Sequence, residues 1–384
     1  MAKALTKIKN FMKVLNKTKK TGTEALDAAV KSVSKFSSWS QLISTMVSDC
    51  KSYAGNGTAF LQQMCGINLS NSDTGAITGS DAGGSFKTAE SIVPESGSWK
   101  YPSKTTFKIQ GLTVTVPEKS KLDSSQQYIV GALYTWWIKN SLSLIKKSFG
   151  LSFTDSGVST KKLNVYFYNA PDGIAAYAGT GSGEKAQSLS LRINMRYFQG
   201  IENKKNPNGV GDEKTLTYLD RTIAHELTHA TMAANIDYFN NLPTAFKEGS
   251  AELVHGIDDK RTSDIQNLAS DSTKLRSAVY GGGITSYSAG YIALRYLAKQ
   301  AAAGRKPNTS KNISSQVYEN NFSENIAADE LFEENNFVEN SSLDEIISAK
   351  DFSVADVKKY LTQNIFSQDE NIFQTAYSAK NETV

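Results

Sequence analysis

The sequence predicts an α+β fold. A mixed sheet with a helix packed on it is followed by a helical part, with a helical N-terminal segment before and a small acidic C-terminal region after. Three observations carry this. Residues 108–117, 161–169 and 187–198 alternate apolar and polar side chains as strands do. A long helical pattern at 123–150 interrupts them, and apolar residues recur at helical spacing over 215–234, 242–256 and 286–300. The 384 residues are 39% hydrophobic and 21% charged, a composition that supports a folded core and excludes disordered or fibrous chains.

From the N-terminus, residues 4–18 set Leu5, Ile8, Met12 and Leu15 at helical spacing between lysines. That is a basic amphipathic helix, able to dock by its apolar stripe or to touch an acidic lipid surface through residues 1–20. Further helices are expected at 24–36 and 39–53. The whole stretch 1–66 reads as a basic helical segment, a leader or pro-region. Residues 67–107 are rich in Gly, Ser and Thr and read as a linker. Asp73 and Asp81 there raise the idea of calcium, but the ligand spacing of a calcium loop is missing. The unit at 108–305 follows. Its helix at 123–150 has capping residues at Asp123 and Ser124 and stops at Gly150. A second linker at 306–316 opens the C-terminal region, 306–384, with a short helix expected at 354–365.

Charge and cysteine usage narrow the function classes. Net charge is +4, too mild to point to nucleic acid. The distribution is uneven: seven lysines precede the first acid, Glu24, whereas 14 Asp/Glu stand against four lysines from Glu319 onward. No apolar run approaches the roughly 20 residues of a transmembrane helix. Cys50 and Cys65 are the two cysteines. A single bridge between them is conceivable, but a disulfide scaffold or cysteine zinc module is excluded.

The three histidines fall together. In residues 215–234, TLTYLDRTIAHELTHATMAA, Leu216, Leu219, Ile223, Leu227 and Ala234 form an apolar stripe, and His225 and His229 share a face away from it. Two imidazoles at i and i+4 on a rigid helix can take two corners of a tetrahedral zinc site. The carboxylate between them, Glu226, is placed to act as general base toward a water activated by the metal. With histidine this rare, a chance HExxH in this chain is expected on the order of once in a thousand. A third ligand follows in LPTAFKEGSAELVHG, residues 242–256. Glu248, Glu252 and His255 there repeat at i, i+4 and i+7, on one helix face. Gly249 inside that helix costs about 1 kcal/mol of propensity, which close approach of two helices around a shared metal would explain.

HExxH followed after 18 residues by Glu, within EGSAE, resembles the gluzincin metallopeptidases. HELTHA is similar to the thermolysin active helix, and KEGSAE to the glutamate helix of clostridial collagenases and aminopeptidase N. The resemblance covers roughly residues 160–305. It implies a thermolysin-like zincin domain holding one Zn²⁺ through His225, His229 and Glu248, with water as the fourth ligand. Glu226 would be general base and then proton donor to the leaving amine, and Glu252 would orient His225. Clan members of the aminopeptidase type stabilise the oxyanion with a tyrosine in Y-x-x-G, a pattern matched by Tyr287 to Gly290 behind the glycines at 281, 282 and 283. Tyr291, one turn on, is the competing phenol. His255 points toward the same region, lining the cleft or supporting the ligands; replacement of a metal ligand is its other reading. The strand at 187–198 stands where the clan has its substrate-binding edge strand. The GxMEN-type sequence that captures a free amino terminus is absent, so the implied activity is internal cleavage of protein or peptide substrates.

The leading expectation is therefore a zinc endopeptidase, exported from a bacterial cell without a cleaved signal. Three rivals remain open from sequence: a zinc hydrolase of a non-peptide bond, a binding protein on a dead metalloprotease fold, and a membrane-active protein working through its basic head.

Overall fold

The computed structural model describes residues 2–18, 22–67, 99–171, 176–179, 184–203, 219–255 and 259–303. The chain divides into a compact unit over residues 3–308 and a second over 309–384. The C-terminal region with its expected helix, and the Asp73 and Asp81 loop, lie outside the described residues.

Five short strands form one mixed sheet in the order β1-β2-β3-β5-β4. The expected strand at 108–117 is a hairpin instead. β1 (Thr106–Ile109) turns into antiparallel β2 (Leu112–Thr115) through Gln110 and Gly111. Both turn residues have positive φ, 45° and 87°, the backbone of a tight two-residue turn that follows the strand twist. β3 (Lys162–Tyr168) lies parallel to β2, and β5 (Leu189–Asn194) parallel to β3. β4 (Ala176–Gly179) closes that side, antiparallel to β5.

The edge strand expected at 187–198 is thus an interior one, and the edge belongs to β4. Alternation marks β5 because Leu189, Leu191 and Ile193 are buried. The four-residue AYAG of β4 carries no such pattern, so the sequence hid it. Leu112, Val114, Leu163 and Val165 complete the buried face, and Thr115, Tyr166 and Arg192 point to solvent.

The helix between β2 and β3 runs unbroken from Ser124 to Phe149. It comprises α5 (Ser124–Ala132), a π turn (Leu133–Trp137) and α6 (Ile138–Phe149). Asp123 caps its start in a reciprocal box with Gln126, and Gly150, at φ 70°, ends it. Trp99 lies flat over Gly131, where a Cβ would strike its ring. Part of the expected linker, from Trp99 on, thus packs on this helix.

α7 (Leu219–Asn235) carries the histidine pair. It packs against β4, β5 and α6 on one side and against α8 (Thr244–His255) on the other. Nearly every residue of α7 is buried, so the expected stripe understates it: the helix runs through the core with polar residues such as Asp220, Arg221, His225 and Glu226 buried as well. Beyond α8 come α9 (Asp259–Ala269), α10 (Ser272–Gly281), capped by Asp271, and α11 (Thr285–Ala303).

The N-terminal helices do not stand apart. α1 (Ala2–Lys17), α2 (Gly22–Val33), α3 (Trp39–Ser52) and the short α4 (Gly57–Phe60) share one core with the sheet and with α8 and α11. Phe11 and Trp39 both pack on Phe246 of α8, at 5.7 and 5.8 Å between ring centroids. Tyr296 of α11 donates to buried Asp49 at 2.6 Å, Arg295 donates to the Gly66 carbonyl, and Gln300 donates to that of Met64. Ile8, Phe11, Met12 and Leu15 are at most 1% exposed, so the apolar stripe needed for lipid contact by residues 1–20 is already used. Cys50 and Cys65 are both free and buried. The Cys50 thiol donates to the Ala269 carbonyl, and no bridge forms.

It follows that residues 2–18 and 22–66 are part of the fold. Deleting them should leave a chain with no cooperative thermal transition, and Phe246→Ala should cost about 3–5 kcal/mol in a denaturant melt. A deletion variant that melts like the parent would contradict this.

Candidate metal centre

His225 and His229 project from α7 toward Glu248 on α8. Their three donor atoms form a nearly equilateral triangle. His225 Nε2 is 3.0 Å from Glu248 Oε2, His229 Nε2 is 3.1 Å from the same oxygen, and the two Nε2 atoms are 3.1 Å apart. Zinc bonds of about 2.0–2.2 Å to imidazole and carboxylate, set tetrahedrally, place neighbouring ligand atoms about 3.3–3.6 Å apart. The triangle is within a few tenths of an ångström of that, so these three residues could hold a metal ion.

The electrostatics call for a cation at this point. Burial pulls the His225 imidazole toward neutrality, but hydrogen bonds to Glu248 and Glu252 overcome it and push its pKa up to about 10. Burial likewise opposes ionisation of Glu248, and its bonds to His225 and His229 reverse that, holding the carboxyl well below the usual range. Positive charge, on a proton or on a metal, is what this cluster of buried carboxylates requires.

Around the triangle, each supporting contact has a visible origin. His225 Nδ1 is 3.5 Å from Glu252 Oε1 and 3.3 Å from His255 Nε2. With Nε2 given to a metal, Nδ1 carries the proton and faces these two acceptors, fixing tautomer and ring orientation. Glu252 therefore sits where the i+4 spacing from Glu248 placed it. His255 also belongs to this outer group, 3.7 Å from Glu252. His225, Glu252 and His255 form a second set close enough to hold an ion, but the Arg261 guanidinium, 3.6 Å from Glu252, puts a positive charge beside it. His229 has a different support: its ring lies against Phe239, 6.0 Å between centroids.

Glu226, on the turn that bears His225, is 8% exposed. Its Oε2 accepts the Ala178 N–H of β4 at 2.7 Å. Burial raises its pKa, and the two histidines and that N–H pull the other way. The edge strand and the Glu226 carboxylate are thereby joined by one hydrogen bond that no side-chain pattern could announce.

The two candidate phenols separate cleanly. The Tyr287 ring lies 5.5 Å from that of His225, within 16° of parallel. Burial, together with the Glu248 and Glu226 carboxylates, pushes its pKa up, so the hydroxyl keeps its proton as a donor. Tyr291 is fully buried and its oxygen accepts from Arg295 at 3.0 Å, which removes it as the competing phenol. Arg261, absent from any sequence expectation, lies over the Tyr287 ring at 4.6 Å.

What brings α8 and α11 together is a pair of glycines. A Cβ on Gly249 would stand 2.6 Å from Gly290 Cα, and one on Gly290 would stand 2.7 Å from the Ala245 carbonyl carbon. The close approach expected of Gly249 is real, but its partner is α11 and not the histidine-bearing helix α7. Gly290→Ala should force α8 and α11 apart, displace Glu248, and weaken zinc affinity about 10–100-fold in competitive titration. Unchanged zinc affinity in that variant would mean that the crossing does not set the triangle.

Comparison with protein-family models, with curated proteins and with solved structures finds no match to this chain.

Proposed function

We propose that this chain is a zinc-dependent endopeptidase of the thermolysin-like kind, hydrolysing internal peptide bonds. The observation that carries the reading is the constellation itself: two imidazoles and a carboxylate converging at 3.0–3.1 Å, with a second, buried carboxylate between the two histidines in sequence. His225, His229 and Glu248 would hold the ion. When bound, zinc would lower the pKa of a coordinated water to about 7 and polarise a carbonyl oxygen.

The chain's own groups supply the rest. Glu226 takes the proton of the attacking water and returns it to the leaving amine. Its hydrogen bond from Ala178 limits its rotamers, so the base is held before substrate arrives. Glu252 and His255 keep the His225 ring in one tautomer. Tyr287 donates its phenol proton toward the oxygen that gains charge as the carbonyl becomes tetrahedral.

A peptide is favoured over other acyl substrates by the sheet. Among the described residues, β4 is paired on one side only, by β5, and the Ala178 N–H on its other side reaches the base. An extended substrate laid along that edge would bring a scissile carbonyl beside Glu226 through main-chain contacts.

With the purified, zinc-loaded chain and an unfolded protein mixture, cleavage at internal positions is expected. Glu226→Gln should reduce the rate by about 10²–10⁴-fold while still binding one zinc. Equal rates in the two proteins would contradict the assignment of Glu226. Hydrolysis confined to small non-peptide esters would favour a different hydrolase.

A further inference from the structure

Arg261 lies in the first turn of α9, a helix that supplies no other group to the site. Its side chain is 14% exposed and makes two contacts at once. The guanidinium covers the Tyr287 ring at 4.6 Å from its centroid, and Nε faces Glu252 Oε1 at 3.6 Å. The same Glu252 oxygen faces His225 Nδ1 at 3.5 Å, and the His225 ring is itself layered against Tyr287. The four groups close a ring of contacts: His225 to Glu252, Glu252 to Arg261, Arg261 to Tyr287, and Tyr287 back to His225.

Tyr287 needs such a hold. It sits in the first turn of α11, four positions after Gly283, and Gly282 and Gly283 both have positive φ, 70° and 79°. Its backbone N–H makes one long bond, to the Ile284 carbonyl at 3.4 Å, and a Cβ at Gly282 or Gly283 would meet nothing within 4 Å, so little packs on the approach to this turn. A planar guanidinium can lie on an aromatic face while giving an N–H to a carboxylate. A lysine ammonium, a point charge on a flexible stem, cannot reproduce both contacts.

We propose that Arg261 is a positioning residue for Tyr287: anchored by Glu252, it clamps the phenol against the metal-binding imidazole of His225. It acts through Tyr287 and touches no substrate. Glu252 consequently anchors two functional groups, the ligand histidine on one side and, through Arg261, the oxyanion donor on the other.

Two readouts on the full-length, zinc-loaded chain test this, and only the kinetic one rests on the peptidase reading. In protein labelled with 3-fluorotyrosine, the fluorine resonance of Tyr287 is the one lost in Tyr287→Phe. Arg261→Met should move or broaden that resonance, and Arg261→Lys should displace it less. In the kinetic readout, Arg261→Met should lower kcat about 2- to 30-fold with KM and zinc content unchanged, the span of a single cation–π contact. In the Tyr287→Phe background the same substitution should have no further effect. A Tyr287 resonance unmoved in both variants would overturn the proposal. So would a kcat loss of equal size in the Tyr287→Phe background, or loss of zinc from Arg261→Met. Should the parent chain cleave no peptide, the peptidase reading fails, and the resonance alone decides the role of Arg261.

Discussion

Helices α8 and α11 touch backbone to backbone at Gly249 and Gly290, and the site depends on that contact. Each glycine gives up about 1 kcal/mol of helix propensity relative to alanine. Any side chain at either position would drive atoms well inside van der Waals contact. The crossing lies one residue from Glu248 and one turn from Tyr287, so a single close approach places both the carboxylate ligand and the phenol against the histidines of α7. The N-terminal helices serve the same contact from behind. Phe11 and Trp39 wedge Phe246, and Asp49, Met64 and Gly66 hold α11 along its length. A part of the chain that contributes no group to the site is thus needed to aim the groups that do.

Electrostatics supplies the second constraint. Glu226, Glu248 and Glu252 are carried by adjacent turns in a region with little access to water. Removing one ion from water into such surroundings costs several kcal/mol unless it is paired. His225, His229, His255 and Arg261 provide that pairing, and the three atoms of the triangle stand 3.0–3.1 Å from one another. A divalent cation satisfies all three donors there at once. It would also free His225 from binding a proton at Nε2, leaving Nδ1–H for Glu252 and His255. The arrangement is therefore self-consistent in the metal-bound form, and Arg261 puts a positive charge beside Glu252 on the far side of His225.

How much of this was legible in the sequence follows from what each feature depends on. The pairing of His225 with His229 on α7, and of Glu248 with Glu252 on α8, is a helix-face property that the α-helical repeat sets within each helix, whereas the meeting of the two pairs depends on how α8 packs on α7. The caps at Asp123 and Gly150 and the alternation of β3 and β5 were equally local. Features set by distant partners were hidden. β4 has no apolar alternation, and it is a strand because β5 offers it an edge. The hairpin at Gln110 and Gly111 read as one strand because the flanking residues alternate through it. α9 and α10 were not anticipated, and Arg261 went unnoticed with them, since an arginine early in a polar helix looks like any solvated charge. The lysine-rich start looked like a membrane-seeking or removable segment because amphipathicity does not say what covers the apolar face. Here that cover is the protein's own core.

The most direct test of the account is anomalous diffraction from crystals of the full chain loaded with one equivalent of zinc. The account requires a single strong peak within about 2.0–2.2 Å of His225 Nε2, His229 Nε2 and a Glu248 carboxylate oxygen. A peak instead on the Nδ1 side of His225, between Glu252 and His255, would contradict it, as would the absence of any ordered zinc at the three converging donors.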